Sequence, residues 1–251
     1  MLSRRYTDAA ITWIKGVPKG KPFFMYLAHR DPHLPNTMSA PFLGKSAGGL
    51  YGDVIEALDW TVGELMQALK DIGADQNTLV LFTSDNGPVI APQGPGSAGP
   101  LYGGKGSCQE GGIRVPALVR WPARLPGGRA VAEPVSTMDL FPTLLALAGG
   151  TLPTDRKYDG MDVSRLLTGE ISRLSGPGID GGREIVFWYE RNPVAIRSGK
   201  WKWLRAGFWN PVPALYDLEA DPGEANDLGK TRLDLAQQLN TRIDQLVFGG
   251  S

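Results

Sequence analysis

Two short apolar runs, each emptying into a polar loop and separated by a helix-forming stretch, constrain this chain more than any other feature. Pro22-Phe-Phe-Met-Tyr-Leu-Ala28 is almost wholly apolar and bounded by turn residues, and Thr78-Leu-Val-Leu-Phe-Thr83 is its counterpart. Runs of this kind, without polar alternation, fit strands buried on both faces, as in a parallel sheet. Between them Ile55, Leu58, Val62, Leu65 and Leu69 mark one helical face from Gly52 to Ile72, and Gly73 is placed to stop the helix. Strand, helix, strand with short connections predicts a right-handed crossover in an α/β sheet.

The flanking sequence extends this pattern. Tyr6 to Lys15 reads as a helix ended by Gly16 and Pro18, Val115 to Trp121 as a further strand closed by Pro122, and Pro134 to Ala148 as a helix started by Thr137 or Asp139. After a Gly-rich connector from Ser175 to Arg183 the texture changes to four short strand-like pieces, Glu184 to Tyr189, Pro193 to Arg197, Trp201 to Arg205 and Leu215 to Leu218. A turn at Asp221-Pro-Gly223 and a helix from Thr231 to Phe248 follow. The expected organisation is a larger α/β domain over residues 1–174 and a small antiparallel sheet plus helix over residues 183–251. Gly and Pro (33 and 20 of 251 residues) stay below the level of low-complexity disorder and suggest long, shaped loops. The longest of these, Pro88 to Gly112, has the length of a functional loop.

Charge and cysteine content narrow the function classes. The 26 basic residues balance 26 acidic ones without a basic stripe, which argues against nucleic acid as a partner. No apolar run approaches a membrane span, and Met1 to Tyr6 leads into an amphipathic stretch rather than a signal-peptide core. The single cysteine, Cys108, excludes an internal disulfide and any multi-cysteine metal site. It has no histidine near it in sequence and no visible means of lowering its pKa, so it reads as structural.

The residues able to do chemistry cluster at loops after the apolar runs. Asp85 and Asn86 sit where the second run ends, and in open α/β sheets the ligand crevice lies beyond the carboxyl ends of strands. A carboxylate beside an amide oxygen offers two hard ligands to Ca2+ or Mg2+, which wants about 6–8 oxygens in the case of calcium. An Asx turn is the competing reading of Asp-Asn-Gly. Lys105 lies between glycines in Gly103-Gly-Lys-Gly106, where backbone and ammonium can both approach an anion; the spacing is not that of a P-loop, and a solvated lysine is the alternative. His29 and His33 are the only histidines, and Pro32 and Pro35 argue against the helix that a zinc pair at this spacing would need. A loop histidine can instead donate to a bound anion and protonate a leaving oxygen.

Taken together, these segments resemble the sulfatase family of the alkaline-phosphatase-like superfamily. The stretches that carry the likeness are Pro22 to Pro35, Asp59 to Gly63 with Asn77 to Gly87, and Pro100 to Pro116. Asp139-Leu-Phe-Pro-Thr-Leu, Asp159-Gly-Met-Asp-Val, Ala195-Ile-Arg-Ser-Gly-Lys-Trp-Lys and Leu215-Tyr-Asp-Leu support it, in family order over nearly the whole chain. The resemblance implies a partial alkaline-phosphatase-like α/β fold with a small C-terminal antiparallel subdomain. It also implies calcium-assisted hydrolysis of a sulfate monoester, arylsulfatase-like, acting on a small sulfate ester or a sulfated glycan. Asp85 and Asn86 fall on the family's calcium ligands. Lys105 falls on its sulfate-contacting lysine, and His33, not His29, on the histidine that contacts sulfate and protonates the departing oxygen.

One part of the family pattern is absent. Its nucleophile is a formylglycine made from the Cys or Ser of a Cys/Ser-x-Pro/Ala-x-Arg motif, and no such motif occurs here; Cys108 is followed by Gln-Glu-Gly-Gly. The paired aspartates that complete the calcium site are absent too. The expectation is therefore a nucleophile and remaining calcium ligands upstream of this chain, and no turnover by the chain alone. Two other readings stay open. A phosphoesterase of the same superfamily is disfavoured by the shortage of histidines, and a sulfated-glycan binding fragment would keep the anion pocket without catalysis. Family members are often exported or lysosomal, and this chain shows no signal peptide.

Overall fold

Residues 2–207 and 210–249 are described by a computed structural model. They divide into two units, the first comprising residues 1–80 and 119–124, the second residues 81–118 and 125–251. Among the described residues no helix is long and apolar enough to cross a membrane.

The first unit is built on helices α1 (Leu2–Lys15) and α2 (Gly49–Asp71). Ile14, Ala68 and Leu69 are its buried centre, against which Phe23, Met25, Leu65 and Val80 pack. Two polar contacts tie the helices: the Thr7 and Thr61 hydroxyls meet at 2.9 Å in the interior, and Lys15 pairs with Asp71 at 3.0 Å. Asp53, buried on α2, accepts the backbone N–H groups of Gly44, Lys45 and Ser46 at 2.8–2.9 Å. These bonds, that to Ser46 foremost, hold its carboxyl below the usual carboxylate range.

The apolar run at Pro22 to Ala28 departs from expectation. It belongs to no strand, and its residues alternate: Phe23 and Met25 pack inward while Phe24 and Tyr26 are 71% and 83% exposed. A strand buried on both faces needs a hydrogen-bonding neighbour and a second covering layer, and the described residues supply neither. The second run forms strand β1 (Val80–Thr83), paired in a two-stranded sheet with β2 (Ala117–Arg120). It too is half-covered, with Phe82 and Leu118 exposed.

The second unit carries a four-stranded antiparallel sheet in the order β3 (Glu184–Tyr189), β4 (Asn192–Ser198), β5 (Trp201–Leu204), β6 (Ala214–Asp217). Its register pairs Ile196 with Trp203 and Trp203 with Leu215, so these side chains share one face. Helix α6 (Leu233–Phe248) lays Leu235, Ala236, Leu239 and Ile243 on that face, making the largest buried apolar cluster among the described residues. The opposite face carries Ala195, Leu204, Ala214 and Tyr216, with Cys108 packed against them. The four sequence-predicted strands and the terminal helix are thus present with boundaries moved by one or two residues.

Also in the second unit, Ser136 and Asp139 form a reciprocal cap before α4 (Leu140–Leu147), close to the predicted start. The cap has a second role that local sequence does not reveal: Asp139, fully buried, also takes a bidentate pair from Arg183 at 2.5 and 2.7 Å and the Met161 N–H at 2.9 Å. Short helices α3 (Glu110–Ile113) and α5 (Ser164–Thr168) complete the unit.

Candidate functional site

Asp85 and Asn86 lie immediately after β1, at the tip of the strand as expected. Ser84 turns its hydroxyl onto the Asn86 carbonyl at 3.0 Å, and the Gly87 N–H donates to the Gly112 carbonyl at 2.8 Å. The turn is thereby closed through the backbone. Neither the Asp85 carboxylate nor the Asn86 amide is engaged by another described residue, so both side-chain oxygens are available to a hard cation. An Asx turn would have used the Asp85 side chain locally, and no such bond is present.

The long loop returns to this strand tip. The Lys105 N–H donates to the Pro88 carbonyl at 2.8 Å, and Gly111 N–H to the Tyr102 carbonyl at 2.7 Å. The glycines are steric requirements here. A Cβ on Gly87 would strike the Gly111 carbonyl, one on Gly104 the Pro88 carbonyl, and one on Gly112 the carbonyls of Ser107 and Gly104. Gly103 and Gly106 add positive φ angles on either side of Lys105. Lys105 is therefore held by its backbone beside the Asp85–Asn86 turn, while its side chain is exposed and its ammonium pairs with no described carboxylate. An exposed, uncommitted ammonium on a tightly held backbone is a fitting point charge for an anion.

His33 and His29 lie in the first unit. His33 is exposed, and its Nδ1 is 2.7 Å from the Leu34 carbonyl, which can only accept, so Nδ1 carries a proton and Nε2 is left for another partner. His29 is arranged the other way. Its Nδ1 accepts from the Asp31 N–H at 3.3 Å, its ring meets Tyr6 edge-on, and its Nε2 is buried without a partner among the described residues. Burial lowers the His29 pKa, against the pull of Asp31. His33 and not His29 has the free, accessible nitrogen that proton transfer needs.

Other candidates fall away. Burial raises the Cys108 thiol, so no thiolate forms readily. An open groove of 690 Å3 beside α6, lined in part by Gln237, Thr241 and Gln245, contains Arg242. That guanidinium is committed to Glu184 by bonds of 2.8–3.1 Å, leaving no free cation for an anionic ligand. No group of three or more His, Cys, Asp or Glu able to hold a metal exists among the described residues, so Asp85 and Asn86 can supply only part of a coordination sphere.

One cluster carries no role in the sequence reading: Glu110 in the loop, Arg197 on β4, Lys202 on β5, and Glu224. Its only sequence signal is the placement of charged residues inside short apolar strands.

Comparison with known proteins follows the same segments. The sulfatase family profile matches residues 1–150. Steryl-sulfatase of Mus musculus is 44% identical over 90% of this chain and 41% of its own length. The N-acetylgalactosamine-6-sulfatase of Canis lupus familiaris is 39% identical over 97% of this chain and 52% of its own. Among solved structures, a Bacteroides thetaiotaomicron sulfatase described for the metabolism of multiple glycosaminoglycans superposes with a TM-score of 0.83 at 33% identity. It covers 97% of this chain and 54% of that one. The chain thus spans about half the length of the relatives it matches.

Proposed function

This chain belongs to the sulfatase family, and we propose that its residues form the leaving-group and metal-edge side of a sulfuric-ester hydrolase acting on a sulfate monoester. The single observation that carries the reading is Lys105, anchored through its backbone beside the Asp85–Asn86 turn with its ammonium uncommitted. Within the reading, residues 1–174 belong to the catalytic α/β domain and 183–251 to the C-terminal subdomain.

The chemistry follows from charge. A sulfate monoester carries one negative charge, and breaking its S–O bond leaves the departing alcohol oxygen with another. Lys105 binds and orients the sulfate oxygens. His33, with Nδ1–H fixed on the Leu34 carbonyl, holds a second proton on Nε2 when charged and delivers it to the leaving oxygen. Asp85 Oδ and Asn86 Oδ1 would hold Ca2+, a Lewis acid that offsets charge on sulfate oxygens when bound. The nucleophile, a formylglycine in this family, has no Cys/Ser-x-Pro/Ala-x-Arg motif to come from in these 251 residues. The roles assigned here are therefore binding, orientation and proton delivery. The relatives' names, steryl-sulfatase and N-acetylgalactosamine-6-sulfatase, span a sterol and a sugar sulfate; the substrate class proposed here is the sulfate monoester they share.

Calorimetric titration of the chain with inorganic sulfate and with calcium tests this. Sulfate affinity is expected to fall at least about tenfold in Lys105→Ala, with melting unchanged. Calcium affinity is expected to fall in Asp85→Ala and Asn86→Ala. Sulfate binding indifferent to Lys105 overturns the reading; turnover of an aryl sulfate by the 251-residue chain itself overturns only the expectation that these residues do not suffice for hydrolysis.

A further inference from the structure

We infer that the buried cluster of Glu110, Lys202 and Glu224 is a positioning device that moors the Lys105 loop to the C-terminal sheet. In the β4–β5 register Arg197 stands directly opposite Lys202, and both belong to the face that carries Ala195, Leu204 and Tyr216. Two cations directly opposite each other destabilise a sheet unless an anion lies between them. Glu110 is that anion, with Oε1 2.8 Å from the Lys202 ammonium and Oε2 3.8 Å from the Arg197 guanidinium. Glu224 supplies the second carboxylate, its Oε1 2.9 Å from the same ammonium and its Oε2 accepting the Glu110 N–H at 2.7 Å. Lys202, Glu110 and Glu224 are all buried.

A buried cation with two carboxylates is expensive to assemble and costly to break by removing one member. It is also poorly tolerant of displacement, and its position along the chain makes that matter. Glu110 is followed by Gly111 and Gly112, whose backbone closes the loop. Gly111 N–H bonds to the Tyr102 carbonyl, and the Gly112 carbonyl receives Gly87 N–H from the Asp85–Asn86 turn. Because Cβ atoms have no room at these glycines, the loop, the strand-tip turn and Glu110 shift together. Fixing Glu110 on Lys202 thereby fixes the backbone that holds Lys105 and Asp85. These are positioning residues, acting through the loop and touching no ligand. The consequence for sulfate rests on the function proposed above; the mooring does not.

Native-state amide hydrogen exchange on the full chain, with inorganic sulfate titration alongside, tests the inference. In Lys202→Met, the Gly87, Lys105, Gly111 and Gly112 amides should exchange roughly tenfold faster relative to the Ala236 amide of α6. Sulfate affinity should fall about threefold or more. Leu239→Ala, an equally buried change on the other face of the sheet, should lower the melting temperature without speeding those four amides relative to Ala236. Lys202→Arg, which keeps the charge, should retain most of their protection. Should Lys202→Met fail to fold, Glu224→Gln keeps the Glu110–Lys202 pair and should accelerate the same amides about threefold. Unchanged exchange at the four amides in whichever of Lys202→Met and Glu224→Gln folds overturns the mooring. A wild-type chain that binds no sulfate sinks the functional reading alone, and the exchange result still decides this one.

Discussion

The C-terminal sheet and the Pro22 to Ala28 segment are both strand-like in sequence, yet only the sheet completes its layers. In β3–β6 each strand finds its hydrogen-bonding neighbour within 40 residues of chain, α6 covers one face and the Cys108–Glu110 stretch packs on the other. Pro22 to Ala28 half-buries Phe23, Met25 and Leu27, the first two against the helices, and leaves Phe24 and Tyr26 in solvent. An apolar run states a preference for an interior; whether it has one depends on what other chain is there to cover it.

That contrast can be broken or sharpened by substitution. The largest effect is expected where a buried charge loses its partner. Arg183→Ala strands the Asp139 carboxylate in the interior and should cost about 3–5 kcal/mol in denaturant unfolding. Leu239→Ala, in the covered face of the C-terminal sheet, should cost about 2–5 kcal/mol by the same measurement. A loss under about 1 kcal/mol would mean that α6 is not packed as described.

A pH scan addresses the first unit. The Asp53 carboxyl is depressed below its ordinary value of 3.8 by three backbone N–H donors. A depressed folded pKa means the unfolded chain takes up the proton first, so the stabilisation is complete above 3.8 and is lost as pH falls through the folded value. Asp53→Asn should flatten that part of the acid limb in thermal melts; an unchanged limb would show the three-donor nest to be absent. The smallest effect is expected at Phe24→Ser, within about 0.5 kcal/mol of wild type because the ring is already in water. A cost several times larger would show that Phe24 is covered in solution, and would remove the contrast with the sheet.

Much of the candidate site was legible residue by residue. Asp85 and Asn86 at a strand end, and Lys105 between glycines that backbone packing demands, follow from local patterns that act over a few residues. His33 against His29 is a finer distinction. Family likeness selected His33, and the two rings differ in their surroundings: the His33 Nδ1 meets the Leu34 carbonyl and leaves Nε2 without a described partner, whereas His29 spends its Nδ1 on the Asp31 amide and buries Nε2.

By itself the sequence determined the elements, because helical and strand periodicities are short-range: α2, β1, the four C-terminal strands and α6 could all be read from spacing and stop signals. It also singled out Asp85, Asn86 and Lys105 as candidates, while leaving open the Asx turn that the structure does not form. Only the tertiary structure decided which apolar runs gained a partner, and that Asp139 is both a helix cap and the mate of Arg183. It alone revealed that Glu110 joins Lys202, 92 residues away in the chain. Such pairings depend on which surfaces meet in three dimensions, and a charge inside a strand does not disclose the partner that justifies its burial.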